Sequence, residues 1–518
     1  MSLSLLIAAS LLCALLYYLC PARMRWLLLL AASLLIYAYA GLRGVPFILL
    51  TSFSTWASAL YLGKLSEAHR AWLKEHRGEL SAEEKKAAKA RSKARRRLVM
   101  LCCLVLNFGI LALLKYLDPL LSVWTSRSLG LLLPLGISFY TFQSMGYLLD
   151  VYNEKTAPER NPLRFLLFVS FFPQLIQGPI ARHDQLAAQL TEPHEFDLDA
   201  VERGLLLMAW GFFKKKVIAD RALPFVSEVF GNHHAYGGAV IAVAVLLYSL
   251  QQYCDFSGGI DLVTGIAELF GIRLAPNFRR PYFASSLGDF WRRWHISLGS
   301  WMRDYVFYPF ALSRPMSALG RAVRKSGNAH MARALPAALG NILVFFLVGI
   351  WHGAQINYVL WGLYNGIILA ISALLEPAYK HFGEQHAALS ASRGFALFRI
   401  LRTFLIVNIG WYFDRCTRGA EAFLMLGKTF FQPGLVQLSD GTLLSLGLHS
   451  YDWRILGIAT LLLFIVSVMG ERGTDVRSFV LGRKLPLRWL ILICFLYFVV
   501  ATFVGEGTQS SGFMYAVF

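Results

Sequence analysis

The chain has 518 residues, of which 56% are hydrophobic and only 16% are charged. A soluble domain of this size does not have such a composition, so the sequence predicts a polytopic membrane protein. The net charge is +19, but the surplus Lys and Arg lie in a few loops between apolar runs. That pattern indicates membrane topology and argues against a nucleic-acid partner. The seven cysteines lack C-x-x-C spacing, so neither a disulfide framework nor a metal site is expected.

The N-terminal part of the chain contains three apolar runs, near residues 3–20, 26–41 and 45–63. Each is long enough to predict a membrane-spanning helix. The basic segment 64–97 follows them, and the positive-inside rule places it in the cytoplasm. Its excess of Lys and Arg is typical of a solvated helix attracted to anionic lipid headgroups. Counting back through three spans puts the N-terminus on the extracytoplasmic side.

The middle of the chain carries polar or helix-breaking residues in apolar surroundings. Pro173 and the pair Gly178-Pro179 are expected to break a span, and the break either has a structural role or forms a broken helix that lines a cavity. Asp255 and Asp261 either have a structural role or hold ions in a transport path. A transporter or flippase of an acyl or lipid-linked substrate is therefore one functional alternative.

The segment 285–310 has apolar residues at three- and four-residue intervals and charged residues on the other face. Ser286 fits the start of a capping box. The segment is too charged to span lipid alone, and its Trp and Arg content is typical of a membrane interface. We predict one amphipathic helix, re-entrant or surface-lying, on which Arg292, His295 and Gly299 share a face at the mouth of an internal cavity.

A second histidine, His352, lies in the uncharged segment 334–375, which is long enough for two membrane helices. Ionisable groups at membrane depth are costly and usually mark a functional path. A neutral imidazole takes a proton from a hydroxyl or gives one to a leaving group, which fits acyl transfer. Small and amide residues around it predict close helix packing about a polar site: Gly349, Gly353, Gly362, Gly366, Asn357 and Asn365.

The C-terminal part contains five apolar runs after the basic loop 314–333. They lie near 335–352, 356–375, 396–413, 454–469 and 489–505. Alternation of sides then places the polar segment 414–453 outside and the basic loop 471–488 inside. The tail 506–518 is expected outside, so both termini are predicted to be extracytoplasmic.

Five motifs occur in order along the chain and together resemble one known family. They are PLGISFYTFQSMGYLLDVY (134–152), FFPQLIQGPI (171–180), YCDFSGGIDLVTGIAELFGIRLAPNFRRPY (253–282), DFWRRWHISLGSWMRDYVFYPF (289–310) and GIWHGAQINYVLWGLYNG (349–366). The set resembles the membrane-bound O-acyltransferase (MBOAT) family, in its bacterial branch for alginate and peptidoglycan O-acetylation. The resemblance implies an all-α bowl of about ten to fourteen transmembrane and re-entrant helices around a central tunnel. The resemblance covers most of the chain from about residue 95 onward, and the whole chain, 1–518, is expected to be a single integral membrane domain.

The resemblance carries over to individual residues. His352 matches the family's membrane-buried active-site histidine, and His295 matches the second histidine of this branch, in its W-x-x-W-H motif. Four further residues are expected to support the tunnel or bind substrate: Trp294, Trp351, Asp255 and Asn357.

The resemblance also implies a donor, an acceptor and a location. The donor is expected to be acetyl-CoA, with no metal, and the location the bacterial inner membrane. The tail from Phe513 to Phe518 has the form F-x-Y-x-x-F, similar to a tyrosine motif of this branch, so Tyr515 is expected to relay the acetyl group. A periplasmic SGNH-hydrolase-like partner would then pass it to an envelope polysaccharide. A direct glycolipid acyltransferase without a tyrosine relay is the second alternative.

Overall fold

A computed structural model describes residues 3–124, 129–131 and 133–503. The described residues are mainly helical, with no strand among them. They form two compact units, residues 3–204 with 263–275 and residues 205–262 with 276–503. Within the described ranges, nine helices are long and apolar enough to cross a membrane, and two shorter apolar helices add to them. The prediction of an all-α polytopic membrane protein is confirmed.

The first three helices follow the three predicted apolar runs. The buried positions of the third recur every three or four residues from Ile48 to Ser66, as on a helix with one face against protein. The basic segment 64–97 forms the end of the third helix, a turn, and the start of the fourth helix. These helices are α1 Leu3–Leu19, α2 Arg25–Ala40, α3 Val45–Glu75 and α4 Ala82–Trp124.

A broken helix follows in the same unit, as Pro173 and Gly178-Pro179 predicted. The chain leaves one helix at Ser170, starts another with Pro173 in its first turn, and ends it at Gln177. Proline is tolerated in a first turn but lacks the N–H that an inner turn needs. The helices here are α5 Ile137–Tyr152, α6 Pro162–Ser170, α7 Phe172–Gln177 and α8 His183–Thr191.

The remaining helices contain the other five predicted spans, which coincide with Ala329–His352 (α16), Ile356–Leu374 (α17), Arg393–Arg415 (α20), Ser450–Glu471 (α23) and Leu485–Phe503 (α25). Two π-helical segments, Phe213–Ala219 and Arg303–Phe307, interrupt the order. The helices are α9 Leu198–Phe212, α10 Asp220–Gly231, α11 Gly238–Glu268, α12 Leu287–Arg293, α13 Ile296–Met302, α14 Tyr308–Ala311, α15 Arg314–Lys325, α16 Ala329–His352, α17 Ile356–Leu374, α18 Glu376–Gln385, α19 Ala387–Ser390, α20 Arg393–Arg415, α21 Gly419–Phe431, α22 Thr442–Ser445, α23 Ser450–Glu471, α24 Val476–Leu481 and α25 Leu485–Phe503.

Helices α16 and α17 pack tightly as an antiparallel pair. A side chain at Gly349 would overlap the carbonyl oxygen of Tyr358, and one at Gly362 would overlap that of Phe345. Small residues at such positions let two helix backbones approach closely. The predicted close packing in this segment is therefore confirmed.

Helix α20 packs antiparallel to α17. The hydroxyl of Tyr364 donates to the carbonyl oxygen of Ile406 at 2.7 Å, and the amide of Asn357 donates to that of Phe413 at 3.1 Å. Since α17 is antiparallel to both neighbours, α16 and α20 run in the same direction. Their C-terminal residues lie at the same end of this group.

Replacing Gly362 with Ala should destabilise the protein by about 1–3 kcal/mol, because the new methyl group forces the α16 and α17 backbones apart. The measurement is the thermal unfolding midpoint in detergent. Gly457→Ala in α23 is the matched control, since no atom lies within 4 Å of the added Cβ. Equal midpoints for the two variants would show that the close approach is not required.

Candidate active site

The chain does not form one helix through 285–310, so that prediction is wrong. Helix α12 ends at Arg293, α13 begins at Ile296, and His295 between them has φ +47° and ψ +53°. This left-handed conformation costs a residue with a Cβ about 1–2 kcal/mol. The break also separates Arg292 and Gly299 onto different helices. Such strained residues persist where surrounding contacts fix them, often at functional sites.

Asn277 makes the contacts that fix the break. Its carbonyl oxygen accepts from the N–H of Ile296 at 3.0 Å. Its side-chain Oδ1 accepts from the N–H of Ser297 at 3.0 Å and lies 3.3 Å from Nδ1 of His295. Because Oδ1 is an acceptor here, Nδ1 of His295 is the donor, and Nε2 is the acceptor nitrogen of the neutral ring.

His352 is the last residue of α16 and is buried among aromatic rings. Its ring centre lies 4.9 Å from that of Trp361, 5.0 Å from that of Trp351 and 6.0 Å from that of Tyr358. The helix stops there because the chain becomes extended at Gly353, where a side chain would overlap the ring of Tyr358. The imidazole is thus held by rings in a largely apolar setting.

Both histidines line one cavity of about 450 Å³ in the second unit. Trp294 lines it as well, together with Trp291, Trp361 and Trp411. Along α16 the lining runs from Asn341 to His352, a rise of about 16 Å at 1.5 Å per residue. The volume and the mainly apolar walls are typical of a small-molecule site.

Two exposed arginines line one end of the cavity. The side chains of Arg292 and Arg303 are 72% and 57% exposed, and they pair with Asp289 at 3.6 Å and with Asp304 at 3.0 Å. The start of α12 is tied to the first half of α20, because Arg399 donates to Oγ of Ser285 at 3.1 Å. The ring of Phe307, one turn after Arg303, lies against Gly340, halfway along α16. A Cβ at Gly288 would lie 3.7 Å from both Arg292 and Leu369, which is near the end of the antiparallel α17. The arginines therefore lie toward the starts of α16 and α20, and His352 lies toward the other end.

The other predicted site residues lie outside the lining of this cavity. Trp351 does not line the cavity, although its ring centre is 6.3 Å from that of the lining residue His295. Asn357 donates to the carbonyl oxygens of Phe413 and Cys416, at 3.1 and 2.7 Å. Tyr515 lies outside the described residues. Their assignment to substrate remains a prediction.

Asp255 lies in a buried ionic cluster that sequence reasoning missed. It pairs with Lys215, whose Nζ also lies 2.9 Å from Oδ1 of Asp220. Lys216 pairs with the same Asp220 at 2.7 Å. All four side chains are at least 93% buried. Three successive lysines inside the apolar stretch 205–219 were the available signal, because buried charges need partners.

Lys214, the first lysine of the run, pairs with a different aspartate. Its Nζ lies 2.8 Å from Asp261 and donates to Oγ of Ser257 at 2.8 Å. The π-helical turns of Phe213–Ala219 bring three consecutive side chains toward carboxylates, which a regular helix would spread around its axis. Both aspartates that suggested an ion path are therefore engaged by lysines. Among the described residues, no group of three or more His, Cys, Asp or Glu is arranged to hold a metal ion.

The structure is that of a multi-pass membrane protein in which two buried histidines face one cavity. The chain belongs to the membrane-bound O-acyltransferase family, whose sequence profile matches residues 159–321. It is similar to the probable alginate O-acetylase of Pseudomonas syringae pv. tomato, with 33% identity over 87% of this chain and 78% of that protein. The protein is an O-acyltransferase.

Two other relatives differ in the substrate that their names give. The peptidoglycan O-acetyltransferase of Helicobacter pylori is 33% identical over 64% of each chain. The teichoic acid D-alanyltransferase of Bacillus subtilis is 28% identical over 54% of this chain and 67% of that protein. The names of these relatives thus share acyl transfer, while the acceptor and the acyl group vary.

Proposed function

We propose that this protein takes acetyl from cytoplasmic acetyl-CoA and passes it across the bacterial inner membrane for O-acetylation of an envelope polysaccharide such as peptidoglycan or alginate. The observation that supports this most is the single cavity lined by His295 and His352 in a member of an O-acyltransferase family. Family membership leaves no reason to retain the transporter alternative. Lys214 and Lys215 also neutralise the aspartates on which that alternative rested.

Acetyl-CoA enters at the arginine end of the cavity. Arg292 and Arg303 present exposed guanidinium groups there, and guanidinium binds phosphate through paired hydrogen bonds. The basic loop 314–333 leads directly into α16, and the positive-inside rule places that loop in the cytoplasm. The phosphates of coenzyme A therefore remain at the cytoplasmic end, and the thioester reaches toward His352.

His352 acts as general base for the transfer. It takes the proton from an attacking hydroxyl as the hydroxyl oxygen bonds to the thioester carbonyl carbon. The carbon–sulfur bond then breaks, and the leaving thiolate takes a proton from the imidazolium. His295, with its tautomer fixed by Asn277, positions the reacting groups through Nε2.

Tyr515 is the acceptor of the first transfer. A phenol has a pKa of about 10, so it needs a base such as His352 to become a nucleophile at neutral pH. A periplasmic SGNH-hydrolase-like partner then moves the acetyl group from the tyrosine ester to the polysaccharide. With both termini extracytoplasmic, the tail 506–518 is on the correct side for that partner.

The test is transfer of radiolabelled acetyl from acetyl-CoA to the purified protein in liposomes. Wild type should release free CoA and become covalently labelled, and Tyr515→Phe should lose the label. Tyr497→Phe is the matched control, because Tyr497 is a 73% exposed side chain on the last helix and should leave labelling unchanged.

Two results would contradict parts of this proposal. If Tyr515→Phe still acetylates a glycolipid acceptor at the wild-type rate, transfer is direct and there is no tyrosine relay. If wild type neither releases CoA nor becomes labelled, acetyl-CoA is not the donor.

A further inference from the structure

Gln252 is a buried residue of α11 that lines the cavity and has no role in the transfer described above. Its side chain is 3% exposed. Its Nε2 donates to Oδ2 of Asp414 at 3.1 Å. The same carboxylate oxygen accepts from the hydroxyl of Tyr248 at 2.6 Å. Asp414 therefore fixes the orientation of the Gln252 amide by binding its NH₂ group.

This contact fixes which atom of the amide is free. A carboxylate only accepts hydrogen bonds, so the NH₂ group of Gln252 must face Asp414 and the carbonyl oxygen must point away from it. Within the part of the chain that the structure describes, Oε1 of Gln252 has no hydrogen-bond partner. A buried acceptor without a partner is costly, and a ligand N–H that binds it recovers this cost.

Gln252 lies at the inner end of the cavity. Asp414, to which it is bound, is the second-last residue of α20, and His352 is the last residue of the parallel helix α16. Both lie away from Arg292 and Arg303. A coenzyme A thioester that keeps its phosphates at the arginine end therefore extends its pantetheine arm toward Gln252, with the thioester at the tip of the arm.

We propose that Oε1 of Gln252 accepts a hydrogen bond from the amide N–H of the pantetheine arm that is nearest the thioester. This inference rests on the proposed function, because it assumes a pantetheine thioester as donor. That N–H is separated from the sulfur by an ethylene group, so binding it holds the thioester within reach of His352. The hydroxyl of the acceptor is a poorer partner for Gln252, because its proton must pass to the base.

The first test compares two small donors that differ in one group. S-Acetyl-N-acetylcysteamine contains the N–H, and its ester counterpart has oxygen in that position. Wild type should prefer the amide compound by about tenfold or more in kcat/KM, and Gln252→Leu should reduce that ratio to near one. Gln251→Leu is the matched control, since Gln251 is also buried on α11 but does not line the cavity.

The second test uses the natural type of donor. Gln252→Leu should raise KM for acetyl-CoA about tenfold, while Gln251→Leu leaves it unchanged. Asp414→Asn removes the charge that orients the amide and should give an intermediate value. Because coenzyme A and acyl carrier proteins share the pantetheine arm, acetyl-CoA and an acetylated carrier protein are compared, and the faster donor identifies the source.

The outcomes separate this inference from the function on which it rests. If wild type transfers acetyl from acetyl-CoA, but the amide preference and KM are the same in Gln252→Leu, the hydrogen bond is excluded and the function stands. If wild type uses no pantetheine thioester, the proposed function fails with it.

Discussion

His352→Ala should lower acetyl transfer by about 10²–10⁴-fold, the usual contribution of a general base. The imidazole is buried at the end of α16 and faces the same cavity as His295. Its removal takes away the imidazole that accepts the proton of the attacking hydroxyl in the proposed mechanism. CoA release and acetyl labelling are the two measurements, and both should fall together.

The fold should survive this substitution, because His352 ends its helix and contributes no inner turn. His381→Ala on the exposed face of α18 is the matched control and should leave transfer unchanged. A His352→Ala variant that retains transfer would refute the base role. A variant that no longer gives a monodisperse protein with the wild-type unfolding midpoint would show a structural role.

Lys215→Met should destabilise the protein by about 3–5 kcal/mol, the cost of leaving a buried charge without its partner. Lys215 lies between Asp220 and Asp255, and all three side chains are at least 95% buried. Methionine has a similar length but no charge, so the packing changes little, while Asp255 loses the ion pair with Lys215 and Asp220 keeps its pair with Lys216. Thermal or denaturant unfolding in detergent measures the effect.

Lys380→Met is the control for this experiment. Lys380 pairs with Glu376 at 2.8 Å on an exposed helix face, where an ion pair contributes about 0–1 kcal/mol. Adding Asp255→Asn to Lys215→Met should restore part of the lost stability, because one uncompensated charge is removed. A Lys215→Met variant as stable as Lys380→Met would mean that water or another cation compensates the aspartates.

Most of the membrane helices were predictable because lipid imposes a simple rule on the chain, although the spans in α4 and α11 were not among the predicted runs. A span needs about 20 apolar residues, so the runs that became α1, α2, α16, α17, α20, α23 and α25 are visible in composition alone. The glycines at 349 and 362 were likewise recognisable as sites of close helix contact. Both signals are local and need no knowledge of distant residues.

The break at His295 was not predictable in the same way. The residues from 285 to 310 have a helical periodicity, and the helix stops only because Asn277 accepts from Ile296 and Ser297. Asn277 comes from an earlier loop whose position depends on the folded chain. The same limit applies to Gln252, whose free carbonyl oxygen depends on Asp414, far along the sequence.

Composition and motif order were enough to predict an all-α membrane protein of the O-acyltransferase family, with His295 and His352 as candidate site residues. Hydrophobic length, charge alternation and motif order are properties of consecutive residues, so they can be read without a fold. The folded chain adds that both histidines line one cavity, that His295 lies at a helix break, and that Asp255 is neutralised by Lys215. These features depend on contacts between residues distant in the chain, which packing and buried-charge pairing select.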